Sequence, residues 1–219
     1  MTGYSRSPKL VKAGIVLIDP ESGSIVASIA LQYNSETLTR SLAVQAVGED
    51  GDRSQALRIR GPAVETFTLE AMLDATDQLE FPDSNAAVAE NGLFPQISAL
   101  EALVHPTSTQ LRNQDALASA GTLEIAPMEA PLALFIWSRN RVVPVRVTEL
   151  SVTEEAFDPN LNPIRAKVSL SLRSLSVDDL GFSHRGGALF MAYLAAKERL
   201  AQRAPGATLA TFGVSSLDG

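Results

Sequence analysis

Acid–base, nucleophilic and metal chemistry each require particular side chains held close together, so a search for function starts with the residues able to supply them. The chain has two histidines, His105 and His184, and no cysteine. The histidines are distant in sequence, and neither falls in an H-x-x-x-H or H-x-H pattern. His105, just before Pro106, reads as a dipole partner for the end of a helix. Without cysteine there is no disulfide, thiolate metal site or cysteine nucleophile. Four acidic pairs could serve as general acid and base: Asp50 and Asp52, Asp74 and Asp77, Glu154 and Glu155, and Asp178 and Asp179. All fall in expected turns or at strand ends, where solvated carboxylates are ordinary. The turn carrying Asp50 and Asp52, "GEDGDR", lacks the register and terminal Glu of a calcium loop. Glycines precede a helix in "HRGGALF", 184–190, but form no dinucleotide or phosphate loop, and no G-x-S-x-G elbow occurs. They read as a flexible joint. No residue is therefore assigned a catalytic, cofactor-binding or metal-binding role.

Composition narrows the classes further. The chain has 219 residues, 45% hydrophobic and 20% charged, which fits a globular domain and not a disordered one. A net charge of -7 and the lack of a basic run disfavour nucleic-acid binding. Aromatic residues, at 5%, are too sparse for a base-stacking surface. The N-terminal stretch "MTGYSRSPKLVKAGIVLID" has a short apolar run interrupted by Lys12 and ended by Asp19, which matches neither a signal peptide nor a membrane span. A soluble cytoplasmic protein without direct membrane insertion is expected.

The elements that would position any site are mostly strands. Alternation over 25–33 sets Ile25, Ala27, Ile29, Leu31 and Tyr33 on one face. Over 66–74 it groups Phe67, Leu69, Ala71 and Leu73, and over 165–172 it groups Ala166, Val168, Leu170 and Leu172. "PLALFIW", 131–137, is apolar on both faces and predicts a central strand, with Trp137, the sole tryptophan, as an anchor at its end. In 142–152 the apolar parity moves from Val143, Val145 and Val147 to Leu150 and Val152, which predicts a bulge or bend. Pro144 favours an edge position or a bulge. "DPESG", 19–23, predicts a tight hairpin between strands 10–18 and 25–33. The 48–54 turn lies between strands expected at 37–47 and 55–60.

Helical spacing appears twice. Residues 85–104 are broken at Gly92 and Pro95, leaving a firmer helix over about 96–104 with Ile97, Leu100, Leu103 and Val104 inward. Residues 186–204 place Leu189, Tyr193, Ala196 and Leu200 on one face. The stretch 105–122 reads as a loop, and 205–219 as a fraying end or an arm. The order is strands, a helix, strands and a last helix, which points to a mainly β, antiparallel sandwich or barrel with one packed helix and a C-terminal helix. Its domains are a β domain over 1–182 and a helix with tail over 183–219.

Four segments together resemble a known family: "LQYNSETLTRSL" (31–42), "GPAVETFTLEAMLDATDQLE" (61–80), "LEALVHP" (100–106) and "APLALFIWSRNRVVPVRVTELSVTEEAFDPNLNPIRAKVSLSL" (130–172). They are similar to the tube-like domain of baseplate and adaptor proteins in contractile injection systems, which are phage-tail-like machines. Relatives carry a "YNPETL"-type segment, an "ETFTLE…D" strand, a "W-x-x-x-R-V-x-P-V-x-V" strand and an "F-x-P-x-x-x-P-[IV]-R-A" loop. Ser35 stands here where proline is usual, and the LysM module of many relatives has no counterpart. The resemblance covers roughly 10–175. It implies a fold of phage tail-tube type and a hexameric ring at the baseplate end of the inner tube. The implied partners are other copies of the chain, the inner tube protein, the spike hub and other baseplate proteins, with no nucleic acid and no cofactor. Candidate interface residues are Phe157, Pro159, Asn160 and Arg165 of the "EEAFDPNLNPIRA" loop and strand, with Phe67, Trp137 and Tyr193.

Two other readings compete with the ring. A hydrolase with a sparse carboxylate site predicts a concave pocket with strongly shifted acids. A monomeric β-sandwich that binds proteins or glycans predicts an exposed aromatic platform, for which Trp137 and Phe157 are the nearby candidates.

Overall fold

A computed structural model describes residues 10–46, 58–119 and 130–217. Its strands are β1 (Gly14–Ile18), β2 (Ile25–Ala30), β3 (Leu38–Ala43), β4 (Val64–Asp74), β5 (Leu132–Ser138), β6 (Arg141–Glu154) and β7 (Arg165–Ser174). They form one sheet in the order β2-β1-β5-β6-β7-β4-β3, with every pair antiparallel. The mainly β, antiparallel class expected from the alternation is the class the chain adopts. Asp50, Asp52 and their turn lie outside the described residues. So does most of the strand expected at 55–60, of which only an isolated bridge from Ile59 to Ala46 is described.

Alternation decides which face is buried. Phe67, Leu69, Ala71 and Leu73 of β4 stand opposite Leu172, Leu170, Val168 and Ala166 of β7, and all eight are buried. The intervening residues are Thr, Ser, Glu, Lys and Met, so the same strands carry a dry face and a largely polar one. β5 is apolar on both faces because both are covered. Phe135 belongs to the main core, and Leu132 and Leu134 to a second cluster with Ile18.

β6 is the middle strand, so Pro144 does not sit at an edge as expected. It is fully buried. Within a strand, a residue's N and O point to the same side. The Pro144 carbonyl accepts from the Leu175 amide at 2.8 Å, just beyond the end of β7. The missing donor therefore faces the place where that ladder stops. The parity shift in β6 is a break in register between Val147 and Glu149, as a bulge predicts. The hairpin at 19–23 also forms, with Gly23 at φ 74°.

Six α-helices are described, more than the two expected: α1 (Thr76–Leu79), α2 (Ala86–Asn91), α3 (Phe94–Glu101), α4 (Ser108–Ser119), α5 (Val177–Leu180) and α6 (Arg185–Ala201). Ile97 and Leu100 of α3 are buried as expected, but Val104 lies past the helix and is 42% exposed. α4 occupies the stretch read as a loop. It has no buried residue, so no apolar stripe announced it. A local signal was present: the Thr107 hydroxyl accepts from the Gln110 amide while the Gln110 side chain accepts from the Thr107 amide, a capping box.

In α6 the inward residues are Gly186, Gly187, Phe190 and Tyr193, not Leu200, which is exposed. Gly186 and Gly187 are not a flexible joint. They lie in the first turn of α6 where it meets α5, and a Cβ on Gly187 would overlap the Gly181 carbonyl oxygen. Phe190 and Tyr193 join the same core as the sheet. No described helix is long and apolar enough to cross a membrane.

Candidate assembly surface

The ends of the sheet are β2 and β3, each of six residues and, among the described residues, each paired on one side only. An edge strand presents a row of unused amide and carbonyl groups, and natural proteins usually blunt it with lysine, proline or a covering element. β2, "IVASIA", has no charged residue and no proline, and Ile25 and Val26 are exposed. β3, "LTRSLA", carries one charge, Arg40, and exposes Leu42. Val44 and Ile59 stand exposed beside it.

Beneath the β3 edge lies a charge cluster. Glu65 sits two residues before Phe67 in β4 and therefore on the core face, where it is 2% exposed. The Tyr193 hydroxyl donates to it at 3.0 Å, Lys197 Nζ reaches it at 2.9 Å and Arg40 Nε lies 3.4 Å away. A buried carboxylate needs such partners. Lys197 also lies over the Tyr193 ring, 4.5 Å from its centre. Burial, and then the neighbouring Glu65 charge, raise the Tyr193 hydroxyl above the usual tyrosine range. Both carboxylate oxygens are engaged and enclosed, so the cluster works as a brace between β3, β4 and α6. Glu65 was legible as a carboxylate at a core parity position, a signal the reading of 66–74 stopped one residue short of using.

The far end of α6 reaches the other edge. Arg185 donates to the Pro20 and Glu21 carbonyls of the β1–β2 turn at 3.3 and 3.1 Å. Inside that turn the Asp19 carboxylate accepts from the Ser22 amide at 2.6 Å and from the Ser22 hydroxyl at 2.8 Å. Arg185 and Lys197 are about 18 Å apart along the helix axis at 1.5 Å per residue. α6 thus ties the β1–β2 turn to the β3–β4 side of the sheet.

The 155–163 loop is tied down by its polar residues. Asp158 accepts from the Asn160 and Asn162 amides and from the Asn162 side chain. Asn162 also donates to the Glu90 carbonyl, and Pro163 is fully buried with its carbonyl accepting from the Leu93 amide. A Cβ at Gly92 would press on that carbonyl. The backbone of Phe157 bridges Pro163, while its side chain is 48% exposed, with Pro159 and Asn160 exposed beside it. Arg165 is exposed and pairs with Asp74 at 3.0 Å. Phe67 has no accessible surface, and Tyr193 is buried in the Glu65 cluster, so neither offers a side chain to a partner. Trp137 is partly buried against Phe135, with ring centres 5.9 Å apart.

The acidic pairs separate into local roles. Asp74 is held below the usual carboxylate range by the Thr76 hydroxyl and amide, and Asp158 by the Asn162 side chain and amide. Burial opposes ionisation of Asp179, but the Ser176 amide and Arg173 outweigh it and lower its value. A general acid needs a shift in the opposite direction. Among the described residues no group of three potential metal ligands is gathered.

The second face of β3, β4, β7 and β6 presents Thr39, Ser41, Thr66, Thr68, Ser169, Ser171, Ser151 and Thr153 across paired positions. Lys167 stands among them, bridged to Glu155 at 3.1 Å. This hydroxyl-rich wall is suited to water.

No family model matches the chain, and no curated protein does. Among solved structures, it is similar to a chain in the tail of an empty gene transfer agent particle, refined helically with C6 symmetry, at 11% identity and a TM-score of 0.30. It is also similar to a chain of the native gene transfer agent virion at 12% identity and a TM-score of 0.26. Each match covers 74% of this chain and 90% of the other.

Proposed function

We propose that this protein is a structural subunit of a phage-tail-like particle, in which copies join side by side through their sheet edges into a ring. The observation that carries this reading is the pair of edge strands, β2 and β3, equal in length at opposite ends of one sheet, neither holding lysine or proline and each paired on one side only among the described residues. Pairing β3 of one copy with β2 of the next satisfies both rows of backbone groups. The contact is heterologous, so it repeats from copy to copy and closes into a ring when the rotation between copies allows. The hydroxyl-rich wall supports the same reading, since one side of a continuous barrel must face a hydrated channel.

The finer assignment rests on the sequence resemblance: six copies, at the baseplate end of the inner tube, linking that tube to the spike hub. The side chains of half-exposed Phe157, of the Pro159–Asn160 tip and of Leu161, 74% exposed, are parts of the 155–163 loop open to a neighbouring protein. Electron microscopy and native mass spectrometry of the protein alone and with its inner tube protein test the proposal. Closed rings that cap tube ends are expected. Monomers at every concentration that never join a tube would overturn it.

A further inference from the structure

Two apolar features of the chain have no use within the ring contact itself. The first is a groove of about 700 Å³. Its floor is one row of paired residues, Ala27, Leu17, Ala133 and Val145, running inward from edge strand β2 across β1 and β5 to β6. Leu103 and Val104, beyond α3, line it as well. The second feature is the segment after α6, where Leu209, Phe212, Val214 and Leu217 are exposed, Phe212 at 69% and Leu217 at 80%. Exposed apolar surface concentrated in this way marks an interaction site.

The two features lie toward opposite edges of the sheet. The segment leaves α6 one turn after Lys197, which is fixed to Glu65 beside β3. Val26 and Ala27 of β2 line the groove. Setting β3 of one copy against β2 of the next therefore brings the segment of the first to the groove of the second. The segment holds one short 3-10 turn, Leu209–Phe212, and the seven residues 202–208 before it reach up to about 23 Å when extended at about 3.3 Å per residue, whereas adjacent strands are only about 4.8 Å apart.

We infer that residues 206–217 of one copy act as an arm that fills the groove of the adjacent copy. The inference rests on the ring reading and adds a second contact to it. The occupant is a second copy of this chain, because the ring contact sets the edge beside which the segment leaves α6 against the edge that borders the neighbour's groove. Burying Phe212 and Leu217 there supplies the apolar area that a six-residue backbone edge lacks.

The absence of cysteine makes the test clean. Phe212→Cys and Val104→Cys are prepared as separate proteins, mixed, assembled and treated with a short thiol–thiol crosslinker. A covalent pair joining one chain of each kind is expected in rings, and little of it in dilute monomer. Phe212→Ser should raise the concentration needed for assembly several-fold while leaving the melting temperature of the monomer unchanged. Rings that form without the crosslink would overturn the arm and leave the ring reading standing. A double variant that links only within single chains would also overturn it, because the arm would then occupy its own groove. If no ring forms at all, the ring reading fails and the arm falls with it.

Discussion

Strand β3 is supported from below, by a buried carboxylate that gathers Arg40, Tyr193 and Lys197, whereas β2 depends on its neighbour β1 and on a hairpin turn at the surface. Both are edges of the same sheet, and among the described residues both leave one row of backbone groups open. The difference lies in what fixes their positions. At β3, charge is taken out of water and must be matched, so the arrangement is demanding and specific. At β2, Asp19 and Arg185 work in water, where each contact is weak. An edge can thus be held firm through its side chains while its backbone stays available to a partner.

Removing the brace should have the largest effect. Glu65→Ala leaves Arg40 and Lys197 without their shared partner and Tyr193 without its acceptor. A loss of about 2–4 kcal/mol is expected, at the lower part of the range for broken buried pairs because both cations are partly exposed. Chemical denaturation measures it. Hydrogen exchange should speed up in β3 more than in β2, and equal acceleration would erase the contrast between the edges.

Gly187→Ala should cost about 1–3 kcal/mol, because the added methyl meets backbone where α5 and α6 cross. Its melting curve can be compared with that of Gly206→Ala, where a Cβ meets open space and a change within about 0.5 kcal/mol is expected. Val26→Lys should leave the fold intact to within about 0.5 kcal/mol, since the side chain is exposed, yet abolish assembly by charging the edge. Sedimentation separates the two effects.

The edges should also respond to opposite extremes of pH. Tyr193 has its folded value raised above 10.0, so its contribution is complete below pH 10.0 and is lost as pH rises through the folded value. Asp19 has its folded value lowered below 3.8, chiefly by the Ser22 amide, so its contribution is present above pH 3.8 and is lost as pH falls through the folded value. Alkaline titration should loosen β3 first and acid should loosen the β2 hairpin, with Tyr193→Phe removing the alkaline step. A small change is also expected for Phe157→Ala. At 48% exposure its loss should cost under about 1 kcal/mol in the monomer while weakening assembly.

Much of the sheet was legible because β4 and β7 carry their burial in plain alternation and β5 is a run apolar on both faces. The bulge in β6 was visible as a parity shift for the same reason. Pro144 misled because a proline's tolerance depends on where the adjacent strand ends, which is a tertiary fact. α4 escaped because it buries nothing, so only its capping box could reveal it. Gly186 and Gly187 looked like a hinge because sequence alone cannot distinguish freedom from close packing. In the candidate surface, Phe157 was legible as an apolar residue in a polar loop, but two of the loop's anchors, Asn162 and Pro163, act through backbone groups of the distant residues Glu90 and Leu93. The Glu65 cluster joins β3, β4 and α6 across long sequence separations. Periodicity could flag its carboxylate and could not name its partners.

The central claim is that β2 of one copy pairs with β3 of the next. Hydrogen exchange on monomer and on assembled particles, read amide by amide over 25–30 and 38–43, tests it most directly. The account predicts that alternate, outward-facing amides in both strands slow markedly on assembly while the inward-facing ones change little. Assembled particles in which both strands exchange as fast as in the monomer would contradict it.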